Sequence, residues 1–208
     1  RRGGQASWTI VGDPAQSSWP DPQETAAALE NLIGNAPHRR FRMSTNYRSP
    51  AEVFELAARV VTAVDPEADL PTAVRHTDIQ PLLLACSQSE LDEVLTTQLT
   101  ELSEHVDGTL GVICPPSRIA HVASVLGHSG LAGLADRISV VTPLEAKGLE
   151  YDAVVVVSPD EIVLESPGAV RVLYVALTRP TQRLVTLDVT ANGTPGGWRR
   201  FLESPATG

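Results

Sequence analysis

The stretch Ala153-Val154-Val155-Val156-Val157 decides the fold class of this chain. Four of its five residues are valine, a β-branched residue that favours strands. No polar residue interrupts the run, so both faces of such a strand would be covered. Strands covered on both faces are typical of a parallel sheet flanked by helices. The stretch therefore predicts a buried strand of a parallel sheet.

Short apolar runs alternate with amphipathic stretches along the rest of the chain. This alternation predicts an α/β fold in which helices lie on both faces of a parallel sheet. The predicted strands are Trp8–Val11, Arg40–Met43, Pro81–Ala85, Leu110–Cys114, Ile138–Val141, Ala153–Val157 and Leu184–Leu187. The predicted helices are Glu24–Ile33, Pro50–Val64, Glu90–Val106, Arg118–Leu126 and Val170–Leu177.

Three local predictions concern the connections. Ser49 and Glu52 have the spacing of a capping box, in which Ser49 would cap the helix that begins at Pro50. The acidic segment Ser158–Gly168 is predicted to be a loop. Residues 192–208 are rich in Gly and Pro and are predicted to form a tail, tethered in part by Trp198.

Composition limits the classes of function that fit the chain. The 208 residues suffice for one sizeable domain, or for one domain with a fragment of another. The net charge of -9 is not that of a general nucleic-acid-binding surface, because phosphate binding normally needs a basic face. The chain has two cysteines, no pair at metal-ligand spacing, and no apolar run long enough to span a bilayer. We therefore expect a cytoplasmic protein.

Four polar clusters each lie beside a strand-like run. They are Gly12-Asp13-Pro14-Ala15-Gln16, Asn46-Tyr47-Arg48-Ser49, Thr142-Pro143-Leu144-Glu145-Ala146-Lys147-Gly148-Leu149-Glu150, and Tyr174-Val175-Ala176-Leu177-Thr178-Arg179. A guanidinium is a permanently charged planar fork of donors that suits phosphate oxygens. Polar groups at a strand's carboxyl end can face a bound phosphate. We interpret Asp13 and Gln16 as groups of this kind.

Each cluster also has a simpler interpretation. Asp, Pro and Gly are common turn formers, so the first cluster could be a turn only. Arg48 could be a surface residue that pairs with Glu52 or Glu55. Arg179 could bond the last carbonyls of its own helix. The segment from Lys147 to Glu150 could be an ordinary loop.

In this order, the four clusters resemble the later motifs of superfamily 1 helicases of the UvrD/Rep type, over about residues 8–187. The resemblance implies a RecA-like parallel sheet of the P-loop NTPase fold, in a second motor domain without its own phosphate loop. It also implies three parts: residues 1–36 as a remnant of the first RecA-like domain and linker, 37–190 as the second RecA-like domain, and 191–208 as a tail.

The resemblance assigns a role to each site residue. Gln16, Arg48 and Arg179 would act on the γ-phosphate of ATP, Arg179 as an arginine finger. Tyr47 would stack on the base, and Glu150 would accept bonds from ribose hydroxyls. The residues themselves suggest a tight backbone turn at Gly148 and a place facing the phosphate for Asp13.

The printed sequence lacks two parts of an ATPase site. It has no Gly-x-x-x-x-Gly-Lys-Ser/Thr phosphate loop and no Asp-Glu pair before Gly12. We therefore expect the Mg²⁺ ligands in the absent first RecA-like domain, ATP hydrolysis by the full-length protein, and no activity from this fragment alone.

Within the family, the chain is most similar to actinobacterial HelD-like proteins, which bind RNA polymerase and use ATP to release it. Leu144 stands where DNA helicases of this type usually have His, and Met43 to Thr142 is too short for their inserted DNA-binding subdomain. The resemblance therefore implies RNA polymerase as a partner, with nucleic acid as a further possible ligand. A DNA helicase or repair translocase, and a non-catalytic RecA-like protein-binding domain, are the alternatives.

Overall fold

The valine-rich stretch lies in the middle of a parallel sheet in the computed structural model, which describes residues 9–17, 22–34, 37–128 and 131–203. The strands in these ranges are β1 (Thr45–Pro50), β2 (Thr72–Arg75), β3 (Leu82–Cys86), β4 (Leu110–Ile113), β5 (Ile138–Val141), β6 (Tyr151–Val157) and β7 (Pro180–Val189). The α-helices are α1 (Pro22–Ile33), α2 (Ala51–Thr62), α3 (Leu91–His105), α4 (Ile119–His128), α5 (Pro159–Glu165) and α6 (Val170–Leu177).

Five of the described strands form the main sheet, in the order β3-β7-β6-β4-β5, and every neighbouring pair is parallel. The central strand β6 pairs with β4 and β7, so that Val155 lies between Val112 and Val185. β1 and β2 form a separate parallel pair.

Side chains of β6 alternate between two apolar cores, one on each face of the sheet. Val154 and Val156 pack in a core with residues of α2 and α6. Val155 and Val157 pack in a second core with residues of α3 and α4. All four valines have no exposed surface. The predicted buried strand and the helices on both faces are confirmed.

Two predicted strands near the amino terminus are not strands in the described residues. Residues 9–11 have no regular structure, and Trp8 lies outside the described ranges. Arg40–Met43 is also irregular, with Phe41 and Met43 more than four-fifths exposed. An apolar run makes a strand only where neighbours cover it, and the nearest strand, β1, begins at Thr45.

The prediction of a loop over Ser158–Gly168 is wrong, because Pro159–Glu165 forms α5. Pro159 occupies the first turn, where its missing N–H costs nothing, and Asp160 and Glu161 favour a helix amino end. Only Pro159 and Ile162 are buried in this helix. The apolar residues Ile162, Val163 and Leu164 are consecutive in the sequence, so they lack the helical periodicity from which helices are predicted.

The predicted capping role of Ser49 is also wrong. Ser49 is buried within β1, and α2 begins at Ala51 after Pro50 without a side-chain cap. The Glu52 carboxylate accepts bonds from the backbone N–H groups of Thr77 and Asp78 instead. A contact distant in sequence has replaced the local one.

The tail is tethered through Trp198. Residues Gly197–Leu202 form a 3₁₀ helix, in which Trp198 is 1% exposed and packs in the core with α2 and α6. Its Nε1 donates to Asp188 Oδ1 of β7 at 2.6 Å. In the described part of the chain, no helix is long and apolar enough to cross a membrane.

Candidate active site

Arg179 lies at the junction between α6 and β7 and is 1% exposed. Its Nε donates to the carbonyl of Val175 at 2.9 Å, as expected of an arginine that bonds the end of its own helix. The two Nη atoms reach further. Nη1 donates to the Leu149 carbonyl at 3.2 Å, and Nη2 donates to Thr178 Oγ1 at 3.0 Å and to Gln16 Oε1 at 3.1 Å.

The guanidinium of Arg179 is a buried cation with neutral hydrogen-bond partners. No carboxylate in the described ranges forms an ion pair with it. Burial and the nearby charge of Arg48 lower its pKa from the ordinary value, although Glu150 and Asp13 partly oppose this. A buried charge without a counter-ion is costly, so an anion placed against this group would be stabilised.

Arg48 lies close to Arg179 but is held differently. Its Nε forms an ion pair with Glu150 Oε1 at 2.7 Å, and both side chains are about half exposed. The structure thus pairs Arg48 with Glu150 and not with Glu52 or Glu55. An exposed pair of this kind contributes about 0–1 kcal/mol, so either side chain can exchange its partner for a ligand at low cost.

The backbone around Arg48 is fixed by Asn46. Asn46 Oδ1 accepts bonds from the N–H groups of Arg48 at 2.9 Å and Ser49 at 3.3 Å, which makes an Asx-type turn inside β1. Tyr47 is 73% exposed and takes no part in the contacts around Arg179. Its predicted stacking role therefore stays a prediction.

A short turn brings Asp13 and Gln16 to Arg179. Asp13 Oδ1 accepts from the N–H of Ala15 at 3.0 Å and caps the 3₁₀ helix Pro14–Gln16. Gln16 Nε2 donates to Asp13 Oδ2 at 2.7 Å, while its carbonyl accepts from Arg179. Ala15 is 4% exposed and packs in the core that contains α6. The segment is a turn, as its simpler interpretation held, and it is also a contact of Arg179.

The loop between β5 and β6 places Glu150 and the Leu149 carbonyl. Its first turn is closed by Glu145, whose Oε2 accepts from Thr142 N and Oγ1, both at 2.8 Å. These bonds lower the pKa of Glu145. The T-x-x-E spacing is a capping-box signature that sequence reasoning passed over. Gly148 has a φ of +85°, a conformation that favours glycine, which agrees with the predicted tight turn.

The contacting groups lie at the amino ends of the central strands, because Glu150 precedes β6 and Arg179 precedes β7. Ligands of open α/β sheets usually bind at the carboxyl ends. The expectation that Asp13 and Gln16 follow a strand's carboxyl end is wrong, because residues 9–11 are not a strand. A phosphate at this end of the sheet would meet the guanidiniums of Arg48 and Arg179 and the amide of Gln16.

The structure gathers four of the other six predicted site residues around Arg179: Asp13, Gln16, Arg48 and Glu150. Gly148 lies in the loop whose Leu149 carbonyl accepts from Arg179, and Tyr47 is exposed. These residues include no metal centre: no group of three or more His, Cys, Asp or Glu in the described ranges could hold a metal ion.

Comparisons with known proteins agree with this architecture. Residues 138–187, which include Glu150 and Arg179, match the profile of the UvrD-like helicase C-terminal domain family. The fold is similar to that of the C-terminal domain of a possible DNA helicase from Lactobacillus plantarum WCFS1, with a TM-score of 0.56 and 18% identity. That match covers 76% of this chain and 95% of the other. No curated protein matches the chain significantly. The predicted RecA-like α/β fold is thus confirmed.

Proposed function

We propose that this chain is the second motor domain of a UvrD-like, ATP-dependent enzyme. In this proposal, Arg179, Arg48 and Gln16 act on the γ-phosphate of ATP held against a first RecA-like domain. The observation that carries the proposal is the buried guanidinium of Arg179, which has only neutral partners and lies beside a second arginine. Two cations in one place favour a multiply charged anion.

The chain's own residues fit the phosphate end and the ribose of a nucleotide. Arg48 can turn from Glu150 to a phosphate oxygen, because the exposed ion pair is weak. Glu150 is then free to accept bonds from ribose hydroxyls. Arg179 stays fixed by carbonyls of α6 and of the loop before β6, as an arginine finger requires. When bound, Mg²⁺ would neutralise phosphate charge, and its ligands belong to the first domain in this proposal.

The isolated chain should show no meaningful ATP hydrolysis, because it positions at most one side of the nucleotide. The measurement is phosphate release from the purified 208-residue chain, with the full-length protein as the matched control. Turnover by the chain alone in the usual enzyme range of roughly 1–10³ s⁻¹ would contradict the proposal that the site is shared.

We further propose that the full-length protein is a HelD-like, cytoplasmic factor that releases or recycles RNA polymerase. Residues 44–128 and 131–141 are occupied by β1 to β5, α2 to α4 and their connections, so these ranges hold no inserted DNA-binding subdomain. Leu144, at the position of the helicase histidine, is 47% exposed. Both features favour a protein partner over movement along a nucleic-acid strand.

Salt dependence separates the polymerase proposal from a DNA helicase. Affinity for nucleic acid falls steeply with salt because counterions are released from the phosphates. We expect RNA polymerase core to co-purify at moderate salt and strand displacement to be poor or absent. Processive unwinding without polymerase association would favour the DNA helicase. The Arg179→Ala variant, in which hydrolysis is abolished, tests the third possibility. If this variant still binds and releases polymerase as wild type does, a non-catalytic binding domain is favoured.

A further inference from the structure

The Gln16 amide lies between a group that only accepts hydrogen bonds and a group that only donates them. Asp13 Oδ2 lies 2.7 Å from Gln16 Nε2, and Arg179 Nη2 lies 3.1 Å from Gln16 Oε1. A carboxylate has no proton to donate, and a guanidinium has no lone pair to accept one. Only one orientation of the amide therefore satisfies both neighbours.

The turn that holds Asp13 is itself fixed. Ala15 is buried against the core that contains α6, and its N–H donates to Asp13 Oδ1 at 3.0 Å. The two carboxylate oxygens thus have different partners: one closes the turn and the other holds the amide. The described partners of the Arg179 guanidinium include one residue of the amino-terminal segment, Gln16. Gln16 precedes Arg179 by 163 positions in the sequence.

We propose that Asp13 is a positioning residue, which fixes the orientation of the Gln16 amide and through it the guanidinium of Arg179. The inference rests on the proposed role of Arg179 in ATP hydrolysis. It adds a residue that forms no hydrogen bond with Arg179 itself. The contribution of Asp13 therefore depends on which side chain stands at position 16.

Asp13→Asn isolates the orienting role from the capping role. Asparagine caps about as well as aspartate, so its Oδ1 can still accept from Ala15. Its Nδ2 is a donor and now faces Gln16. The amide must then turn its carbonyl toward the new asparagine, which leaves an NH₂ group against Arg179. We expect kcat to fall roughly tenfold with little change in KM, since bonds to charged groups are among the stronger ones.

The test is the effect of D13N on kcat of the full-length protein in three backgrounds. With Gln16 present, D13N should lower the rate. With Q16A, it should have no further effect, because no amide remains to orient. With Q16E, D13N should raise the rate, because the new asparagine can donate to the new glutamate, whose other oxygen accepts from Arg179. In Q16E alone, two carboxylates face each other.

A D13N effect of the same sign and size in all three backgrounds would overturn the inference, because the residue would then act independently of position 16. Thermal unfolding of each variant controls for a merely structural effect, which would lower stability alike in every background. Arg179→Ala distinguishes a failure of the proposed function from a failure of the positioning role of Asp13. If R179A keeps normal turnover, the proposed function fails. If R179A is slow but the D13N effects are equal, only the positioning role fails.

Discussion

At the scale of single residues, the two arginines of the candidate site are held by different kinds of group. Arg179 is buried and bonded by neutral oxygens, whereas Arg48 is half exposed and paired with Glu150. A buried donor with fixed acceptors is preorganised, and a surface ion pair is exchangeable. The site thus combines one rigid cation with one that can move to a ligand.

Glu52 gives a residue-scale prediction about pH. Its own backbone N–H, opposed in part by burial, and bonds from Asp78 and Thr77 lower the pKa of its carboxyl from 4.5 to about 2. A depressed folded-state pKa contributes stability above the unfolded pKa, and that stability is lost as pH falls through the folded value. The stability advantage of wild type over Glu52→Gln should therefore be full above pH about 4.5 and vanish toward pH about 2.

Urea unfolding of both proteins across this pH range measures the difference. Glu55→Gln is the matched control, because Glu55 lies on the same helix and is exposed. That variant should differ little from wild type at any pH. A Glu52→Gln difference that stays constant down to pH about 2 would show that the carboxylate bonds to Thr77 and Asp78 do not stabilise the fold.

The residue types of the site could be predicted from sequence, but their pairing could not. The clusters at Gln16, Arg48, Glu150 and Arg179 were recognisable because each follows or precedes an apolar run. The Arg48–Glu150 pair joins residues about a hundred positions apart, and only the packing of β1 against the main sheet brings them together. Local spacing offers only Glu52 or Glu55 as alternative partners of Arg48, and neither is the partner in the structure.

At the scale of elements, the 3₁₀ helix Gly197–Leu202 ties the tail to the core. Trp198→Ala should destabilise the chain by about 3–5 kcal/mol, the usual cost of truncating a buried aromatic residue. Trp198→Phe should cost about 1–3 kcal/mol, because buried Asp188 loses the Nε1 donor but most packing remains. Leu164→Ala is the control, since Leu164 is 81% exposed and should shift stability by at most about 0.5 kcal/mol.

Denaturant unfolding followed by far-ultraviolet circular dichroism measures these differences. Equal midpoints for wild type and Trp198→Ala would mean that the tail is not part of the cooperative unit. The buried contacts of Trp198 require that stability decreases in the order wild type, Trp198→Phe, Trp198→Ala.

Helices and strands with nearly continuous apolar residues can be predicted from the sequence, whereas elements with few apolar residues cannot. β4, β5 and α6 are predicted within one residue at each end, because their residues are almost all apolar, with Ser139 in β5 and Arg171 in α6 as the polar exceptions. β2 has four residues that alternate in exposure, and α5 has seven residues with one buried aliphatic side chain, so neither left a pattern. β2 is held by its pairing with β1, and α5 by packing against α6, β7 and the 3₁₀ helix Gly197–Leu202.

At the scale of the whole molecule, the candidate site lies at the amino ends of β6 and β7, where the sheet presents Glu150 and Arg179 side by side. The sequence predicted a RecA-like sheet, which is confirmed, but not the edge at which the clusters meet. The consecutive strands β6 and β7 are expected to be neighbours, but the chain order does not reveal that Gln16 and Arg48 meet them at their amino ends. A site on this edge offers cations to a ligand and no metal centre in the described residues. In the function proposed above, the ligand of this site is a nucleotide held by another domain.

The most direct test of this account is the rate of ATP hydrolysis by full-length Arg179→Ala and Arg48→Ala. Each should lower kcat by roughly 10³–10⁵-fold while changing nucleotide affinity much less, because the guanidinium acts on charge that develops in the transition state. Arg179→Lys should rescue poorly, since an ammonium lacks the planar fork. Arg183→Ala is the matched control, because Arg183 lies on β7, the strand that follows Arg179, and takes part in none of the contacts described around Arg179. Near-normal kcat in both Arg179→Ala and Arg48→Ala would contradict the account.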